Sequence, residues 1–296
     1  MPILTLIAAD KAESGIVSEA SDRLRGADCI PGMVTWLAHD KAFDIAFDGD
    51  LVRARVALSS LEDRFDVVVQ TESNRRKMLL VSDMDSTMIT VECIDELADY
   101  AGIKPEIAAI TERAMAGELD FAEALKARVA LLAGLDETVI ATCLRERVRP
   151  MPGAEVLVRT MTGWGAHAVL VSGGFTSFTG PVAAMLGFAE VHANVLEIRD
   201  GKLTGALAGD IVDAKVKRDV LMSAANIGKI DLRASLAVGD GANDLPMITA
   251  AVSGNGLGAG YHPRPQLAEA ANFAIRHNDL TALLFAQGIR REDWAY

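Results

Sequence analysis

Cysteine is scarce: Cys29, Cys93 and Cys143 stand far apart in 296 residues, with no Cys-x-x-Cys pair. That excludes a disulfide framework and leaves no zinc cage to build. The five histidines are equally scattered, and no His-x-His or His-x-x-x-His spacing offers a metal two imidazoles. Basic residues are outnumbered, 29 against 41 acidic, for a net charge of −12. Such a chain is a poor partner for a nucleic-acid backbone or an anionic membrane surface. No apolar run reaches the roughly 18 residues of a membrane span. The opening stretch Met1–Asp10 lacks a basic lead-in and turns polar too early for a secretion signal. The expectation is a reduced, cytoplasmic, globular protein. Half of the residues are apolar, enough for a sizeable core, and the length suggests about two domains. If so acidic a protein handles phosphate, it needs a metal ion and one or two placed cations to offset the repulsion locally.

The first 72 residues read as strand Pro2–Ile7, a helix from about Glu13 to Leu24, strands near Val34–Leu37 and Phe43–Phe47, helix Leu51–Leu61 and strand Phe65–Val69. This βαββαβ order is the split βαβ of ferredoxin-like folds, shared by small regulatory modules of the ACT kind. The polar run Thr71–Lys77 reads as a linker. Residues 73–296 differ in character. Apolar runs Met78–Val81, Ala168–Val171 and Leu236–Val238 suit strands buried on both faces of a parallel sheet, and helix-like stretches follow them. The predicted fold class is α/β, a doubly wound sheet whose site lies at the carboxyl ends of its strands. Amphipathic stretches Ile94–Tyr100, Phe121–Leu132 and Glu137–Leu144 interrupt the alternation, and predict a helical cap inserted over about 91–150. Asp200-Gly201, between two alternating runs, predicts a type I′ hairpin.

Ser82-Asp83-Met84-Asp85-Ser86-Thr87 directly follows the first apolar run. Residues two apart in an extended segment point the same way, so Asp83 and Asp85 can share one site. A carboxylate is ionised at neutral pH and can attack phosphorus without a separate base. A second carboxyl can protonate the leaving alkoxide and then deprotonate the attacking water. Alone, the motif also suits a loop with a capping Asp and Thr. Gly239-Asp240-Gly241-Ala242-Asn243-Asp244 follows the third run. Asp240 would complete an oxygen-rich site for magnesium, and Asp244 could orient the ligands from behind; a turn and helix cap is the bland alternative. Ser172-Gly173-Gly174 offers a hydroxyl and unhindered N–H groups for a phosphate oxygen. Lys217 is the choice for the neutralising cation, with Lys215 the runner-up. Met115 and Phe121 read most simply as core, though either could wall a pocket. The glycines at 254–260 have the wrong spacing for a dinucleotide loop, and Ser172 lies in no Gly-x-Ser-x-Gly elbow.

Taken in order, DMDST at 83–87, SGG at 172–174, a lysine at 217 and GDGAND at 239–244 resemble the four motifs of the haloacid dehalogenase (HAD) superfamily, most closely its phosphoserine phosphatases. The resemblance covers about 78–290 and takes in cap segments 113–117 and 125–132. It implies a Rossmann-like core with an inserted helical cap, preceded by the ACT-like region that longer bacterial members carry. It implies Asp83 as nucleophile and Asp85 as general acid and base. Mg2+ would be held by Asp83, Asp240 and the backbone carbonyl of Asp85, and Ser172, Gly173, Lys217 and Asn243 would bind the phosphate or substrate. Glu92 resembles the residue that faces the substrate ammonium, and Arg128 the one that faces its carboxylate. The implied reaction is hydrolysis of O-phospho-L-serine, through an aspartyl phosphate, in serine biosynthesis. The implied partner is a small phosphomonoester, with neither nucleic acid nor membrane, and a homodimer is the assembly left open. Alternatives are another phosphorylated amino acid as substrate, phosphoryl transfer to an acceptor such as homoserine, or an amino-acid-sensing role for the N-terminal region.

Overall fold

Two sheets organise the chain in the computed structural model, which describes residues 1–115 and 118–296. Residues 116–117 of cap segment 113–117, and the side chain of Met115, lie outside the described residues. The first sheet contains β1 (Pro2–Ala8), β2 (Ile30–Ala38), β3 (Ala42–Asp48) and β4 (Phe65–Thr71), in the antiparallel order β2-β3-β1-β4. Helices Ile16–Gly26 and Leu51–Leu58 cover one face. The element order is the expected βαββαβ. The first helix starts three residues later than the sequence suggests, because Gly15 caps it in the left-handed region at φ 94°. Leu4, Leu6, Phe43, Ile45 and Phe47 of the sheet pack on Ile16, Ala20, Leu24, Ala54 and Leu58 of the helices.

The second sheet contains β5 (Leu79–Ser82), β6 (His167–Phe175), β7 (Glu190–Arg199), β8 (Lys202–Ala208), β9 (Ser235–Gly239), β10 (Leu257–Tyr261) and β11 (Phe273–Ile275). Its order is β11-β10-β9-β5-β6-β7-β8, parallel throughout except for the β7–β8 hairpin. Asp200 and Gly201 turn that hairpin with φ of 51° and 76°, both left-handed as a type I′ turn requires. Alternate residues of the central strands enter two separate cores. Leu80, Leu170 and Val238 pack with helices Ala154–Gly163 and Thr176–Leu186, whereas Val81, Val171 and Ala237 pack with Ala214–Ile227 and Leu245–Ser253. The sheet is thus buried on both faces, and its carboxyl edge is left for a site.

Two features depart from the sequence reading. β10 is a buried strand made of Leu-Gly-Ala-Gly-Tyr, a composition that argues against a strand. Glycine is needed there, because a Cβ on Gly258 would lie 2.6 Å from Val252 Cγ2 and 2.9 Å from Ile248 O. The run Thr71–Lys77 connects the sheets but is not a solvated linker, since Arg75 and Lys77 turn inward. Arg75 donates to both oxygens of Asp44 at 2.6 and 2.7 Å, to Thr5 Oγ1 at 2.7 Å and to the carbonyls of Ala286 and Phe285. Asp66 on β4 accepts from the backbone N–H of Arg276 and His277 and from Asn278 Nδ2. Ile7, Leu37, Ala42 and Val68 of the first sheet join the core that contains Leu283 and Leu284.

Between β5 and β6 stand helices Cys93–Ala101, Lys104–Met115, Phe121–Ala130 and Thr138–Glu146. The chain's entry and exit segments run side by side there. Thr90 N–H donates to Arg149 O, and Met151 N–H to Met88 O, around an antiparallel bridge of Ile89 and Pro150. The hairpin reaches the same insertion: Gly134 N–H donates to Leu203 O at 2.8 Å and Leu203 N–H to Leu135 O at 2.9 Å. Among the described residues no helix is long and apolar enough to cross a membrane.

Candidate active site

Asp83 leaves the carboxyl end of β5 with its N–H donated to Val238 O at 3.0 Å, which anchors it against β9. Its carboxylate is almost fully buried. One oxygen accepts from Met84 N–H at 2.7 Å; the other meets Lys217 Nζ at 2.7 Å and Asn243 Nδ2 at 3.1 Å. The same ammonium donates to Asp244 at 2.8 Å. Lys217, 1% exposed, therefore lies between two carboxylates. Burial opposes its charge, but Asp244 and Asp83 outweigh that and raise its pKa. Lys215 is exposed and makes no such contact among the described residues. Helix phase explains the difference, since Lys217 shares a face with the buried Val220, Leu221 and Ala224.

Asp83, Asp240 and Asp244 place carboxylate oxygens within 4.8 Å of one another, the one such acidic group among the described residues. They are not equivalent. Asp244 has no exposed surface, and besides Lys217 it accepts from the N–H of Asp240 and of Gly241 at 3.2 and 3.3 Å. The Asp240 carboxylate accepts no hydrogen bond among the described residues and is partly open. Burial, then the negative charge of Asp83 and Glu92, pushes its pKa up to about 6. An acid crowded by acids in this way is relieved by a cation. Gly239 makes the arrangement sterically possible, because a Cβ there would fall 2.2 Å from Asp244 Oδ2. Gly239→Ala should destabilise the fold by about 1–3 kcal/mol through this overpacking. Urea unfolding measures it, and an unchanged midpoint would show that Asp244 is not so confined.

Asp85 sits in the same pocket but points elsewhere. One carboxylate oxygen accepts from Cys93 N–H at 3.2 Å, and the other lies 2.8 Å from where a Cβ of Gly174 would be. Burial, with the charges of Glu92 and Asp83 acting in the same sense, pushes its pKa up to about 8. The direction of that shift favours the protonated carboxyl over the carboxylate. Ser172, Gly173 and Gly174 all lie within β6, which continues to Phe175 rather than ending at the motif. Ser172 is buried, and its Oγ accepts from Gly174 N–H at 2.8 Å.

The helices inserted between β5 and β6 approach the site from the other side. Glu92 caps helix Cys93–Ala101 positionally, and its carboxylate accepts from Ser86 Oγ at 2.6 Å. Ser86 holds a left-handed φ of 56°, which turns the chain after the second aspartate. Arg128, half-buried, donates Nε to Ala124 O of its own helix at 3.3 Å. Among the described residues its guanidinium forms no ion pair, although Asp95 and Glu92 are near enough to act on its charge. Phe121 is not core: it is 36% exposed, and its ring edge lies 3.0 Å from where a Cβ of Gly173 would be. Asn194, buried on β7, and the cover that Phe121 provides carry no motif signature. Only the register of the strands and the placement of the cap reveal them.

Residues 80–249 match the family of haloacid dehalogenase-like hydrolases. A phosphoserine phosphatase of Streptomyces coelicolor is 44% identical over 227 residues, 77% of this chain and 54% of that protein. The chain thus spans little more than half of that relative's length. A crystal structure described as a probable phosphoserine phosphatase from Vibrio cholerae, unliganded, superposes with a TM-score of 0.78 at 31% identity, over 99% of this chain and 88% of that one. A phospho-aspartyl intermediate analogue of phosphoserine phosphatase gives 0.65 at 36% identity, over 71% of this chain and 98% of that one.

Proposed function

The chain belongs to the haloacid dehalogenase-like hydrolases, and from that premise we propose that it hydrolyses O-phospho-L-serine to L-serine and phosphate with Mg2+ as cofactor. The observation that carries this is Asp83, a buried carboxylate at a strand end, held by Lys217 and Asn243 and grouped with Asp240, whose carboxylate accepts no hydrogen bond among the described residues. In this reading Asp83 attacks phosphorus, and Asp85, protonated at neutral pH, hands its proton to the departing serine oxygen. The same carboxylate then takes a proton from the water that opens the aspartyl phosphate. Ser172, the Gly173 N–H, Lys217 and Asn243 grip the phosphoryl oxygens. Asp244 holds Lys217 and orders the turn at Asp240.

The donors fit a hard divalent cation: Asp83 and Asp240 offer carboxylate oxygens, with the backbone carbonyl of Asp85 as a further ligand. When bound, the ion offsets charge on the phosphoryl group. Asp244, which already accepts from three donors, is assigned to orient the ligands from behind.

Specificity is assigned to the cap. Arg128 would hold the substrate carboxylate bidentately and Glu92 its ammonium, while Phe121 keeps water from the phosphate. Arg128→Ala should therefore lower kcat/KM for phosphoserine by about 10- to 100-fold, the worth of one charged hydrogen-bonding pair, and leave p-nitrophenyl phosphate nearly unaffected. Equal losses on both substrates would remove the carboxylate clamp. The broader test is a panel of phosphoserine, phosphothreonine, sugar phosphates and nucleotides, with magnesium and with chelator. Phosphoserine should lead, and chelator should abolish turnover; a sugar phosphate in the lead would contradict the substrate.

We further read residues 1–72 as an ACT-like domain and 73–296 as the phosphatase domain, with its cap over about 91–150. The buried polar contacts of Arg75 and Asp66 support a firmly docked N-terminal domain over a loosely tethered sensor.

A further inference from the structure

Strand β6 carries Ser172, Gly173 and Gly174 opposite the single Ala193 of β7: the ladder pairs Val171 with His192 and resumes at Phe175 with Asn194. A bulge of this kind leaves its extra residues without ladder partners, and even a half-buried carbonyl such as that of Gly173 is destabilising when left unpaired. Asn194, 1% exposed, supplies what the ladder cannot, since its Nδ2 donates to Gly173 O at 2.8 Å. Its Oδ1 accepts from Val212 N–H at 2.9 Å. The next residue, Asp213, caps helix Ala214–Ile227 by accepting from Val216 N–H, and Lys217 sits on the first turn of that helix. A single planar amide thus joins the bulge to the segment that bears the buried cation.

We propose that Asn194 is a positioning residue for the phosphate site: it fixes the separation between the Ser172–Gly174 bulge and Lys217 without touching substrate. The proposal rests on the reading of those residues as the phosphate grip. The two segments are already close, with Val212 O 3.8 Å from where a Cβ of Gly173 would be. The side chain therefore contributes direction more than bulk. The chemistry is specific to an amide, which donates at one end and accepts at the other. Aspartate keeps the acceptor for Val212 but sets an oxygen against the Gly173 carbonyl. Leucine keeps the volume and satisfies neither group.

The test compares Asn194→Asp and Asn194→Leu with the wild-type full chain, with magnesium present. It reads kcat/KM for phosphoserine and for p-nitrophenyl phosphate, and the inhibition constant of inorganic phosphate. Both substrates should lose about 10- to 100-fold by the same factor, as for supporting residues behind a ligand site, because the damage lies at the phosphate and not at the amino-acid end. The inhibition constant should rise with them. A merely structural role would lower the melting temperature and the active fraction but leave that constant unchanged, and an unchanged constant in either folded variant overturns the proposal. Should both variants fail to fold, the wild type decides through hydrogen exchange: inorganic phosphate should slow exchange of the Val212 amide, and no change would contradict the coupling. If the enzyme prefers another phosphomonoester, the substrate reading fails while the phosphate effect at Asn194 persists. If phosphoserine is the substrate and phosphate affinity ignores Asn194, this inference alone fails.

Discussion

Asp83→Asn should lower turnover of phosphoserine by at least about 10⁴-fold, the scale of loss when an enzyme's nucleophile is removed. The amide has the size of the carboxylate, so Met84 N–H can still reach its oxygen. What disappears is the anion that bonds to phosphorus. The new NH2 also faces Lys217 Nζ, which now sits 2.7 Å from a carboxylate oxygen. Lys217 would keep Asp244 alone as its counter-charge, and some stability should be lost with the activity. Steady-state assays on protein free of contaminating phosphatase measure the first effect, and urea unfolding the second. Substantial residual turnover would refute covalent catalysis through this side chain.

The second large effect belongs to Lys217→Met. Methionine matches the length of the stem but leaves Asp83 and Asp244, both buried, without their shared cation. Breaking a buried ion pair by removing one partner costs about 3–5 kcal/mol, so the urea midpoint should fall steeply when chelator is present. Activity should fall by about 10²- to 10³-fold, as when a preorganised charge stabiliser is removed. Excess magnesium should recover part of the stability, since a cation held by Asp83 and Asp240 offsets some of the same charge. An unfolding midpoint equal to wild type would mean that the two carboxylates do not depend on this lysine.

The acidic residues of the site were legible because strand periodicity and turn chemistry are local. An apolar run followed by Asp-x-Asp brings both carboxyls to one strand end, although Asp85 lies in the turn beyond β5 and points away from the partners of Asp83, and Asp200-Gly201 determines a hairpin. The burial of Lys217 follows from helix phase, since Val220, Leu221 and Ala224 mark its face of the helix and Lys215 lies off it. Other features depend on packing between distant segments. β10 is rich in glycine because Ile248, Val252 and Pro263 crowd it. Arg75 and Lys77 look like linker residues until the two sheets bury them. Phe121 has the composition of a core residue, and only the fold shows that helix Phe121–Ala130 places its ring beside Gly173. Asn194 is one asparagine in a strand until the register of β6 against β7 exposes an unpaired carbonyl beside it.

The most direct measurement is chemical trapping of the intermediate. Wild-type enzyme mixed with phosphoserine and magnesium, acid-quenched within a turnover and treated with borohydride, should yield homoserine at position 83 in the peptide mass spectrum, because borohydride reduces an acyl phosphate but not a free carboxylate. Homoserine at position 85 or 240 instead, or none under conditions where phosphate is released, would contradict the transfer of phosphorus to Asp83.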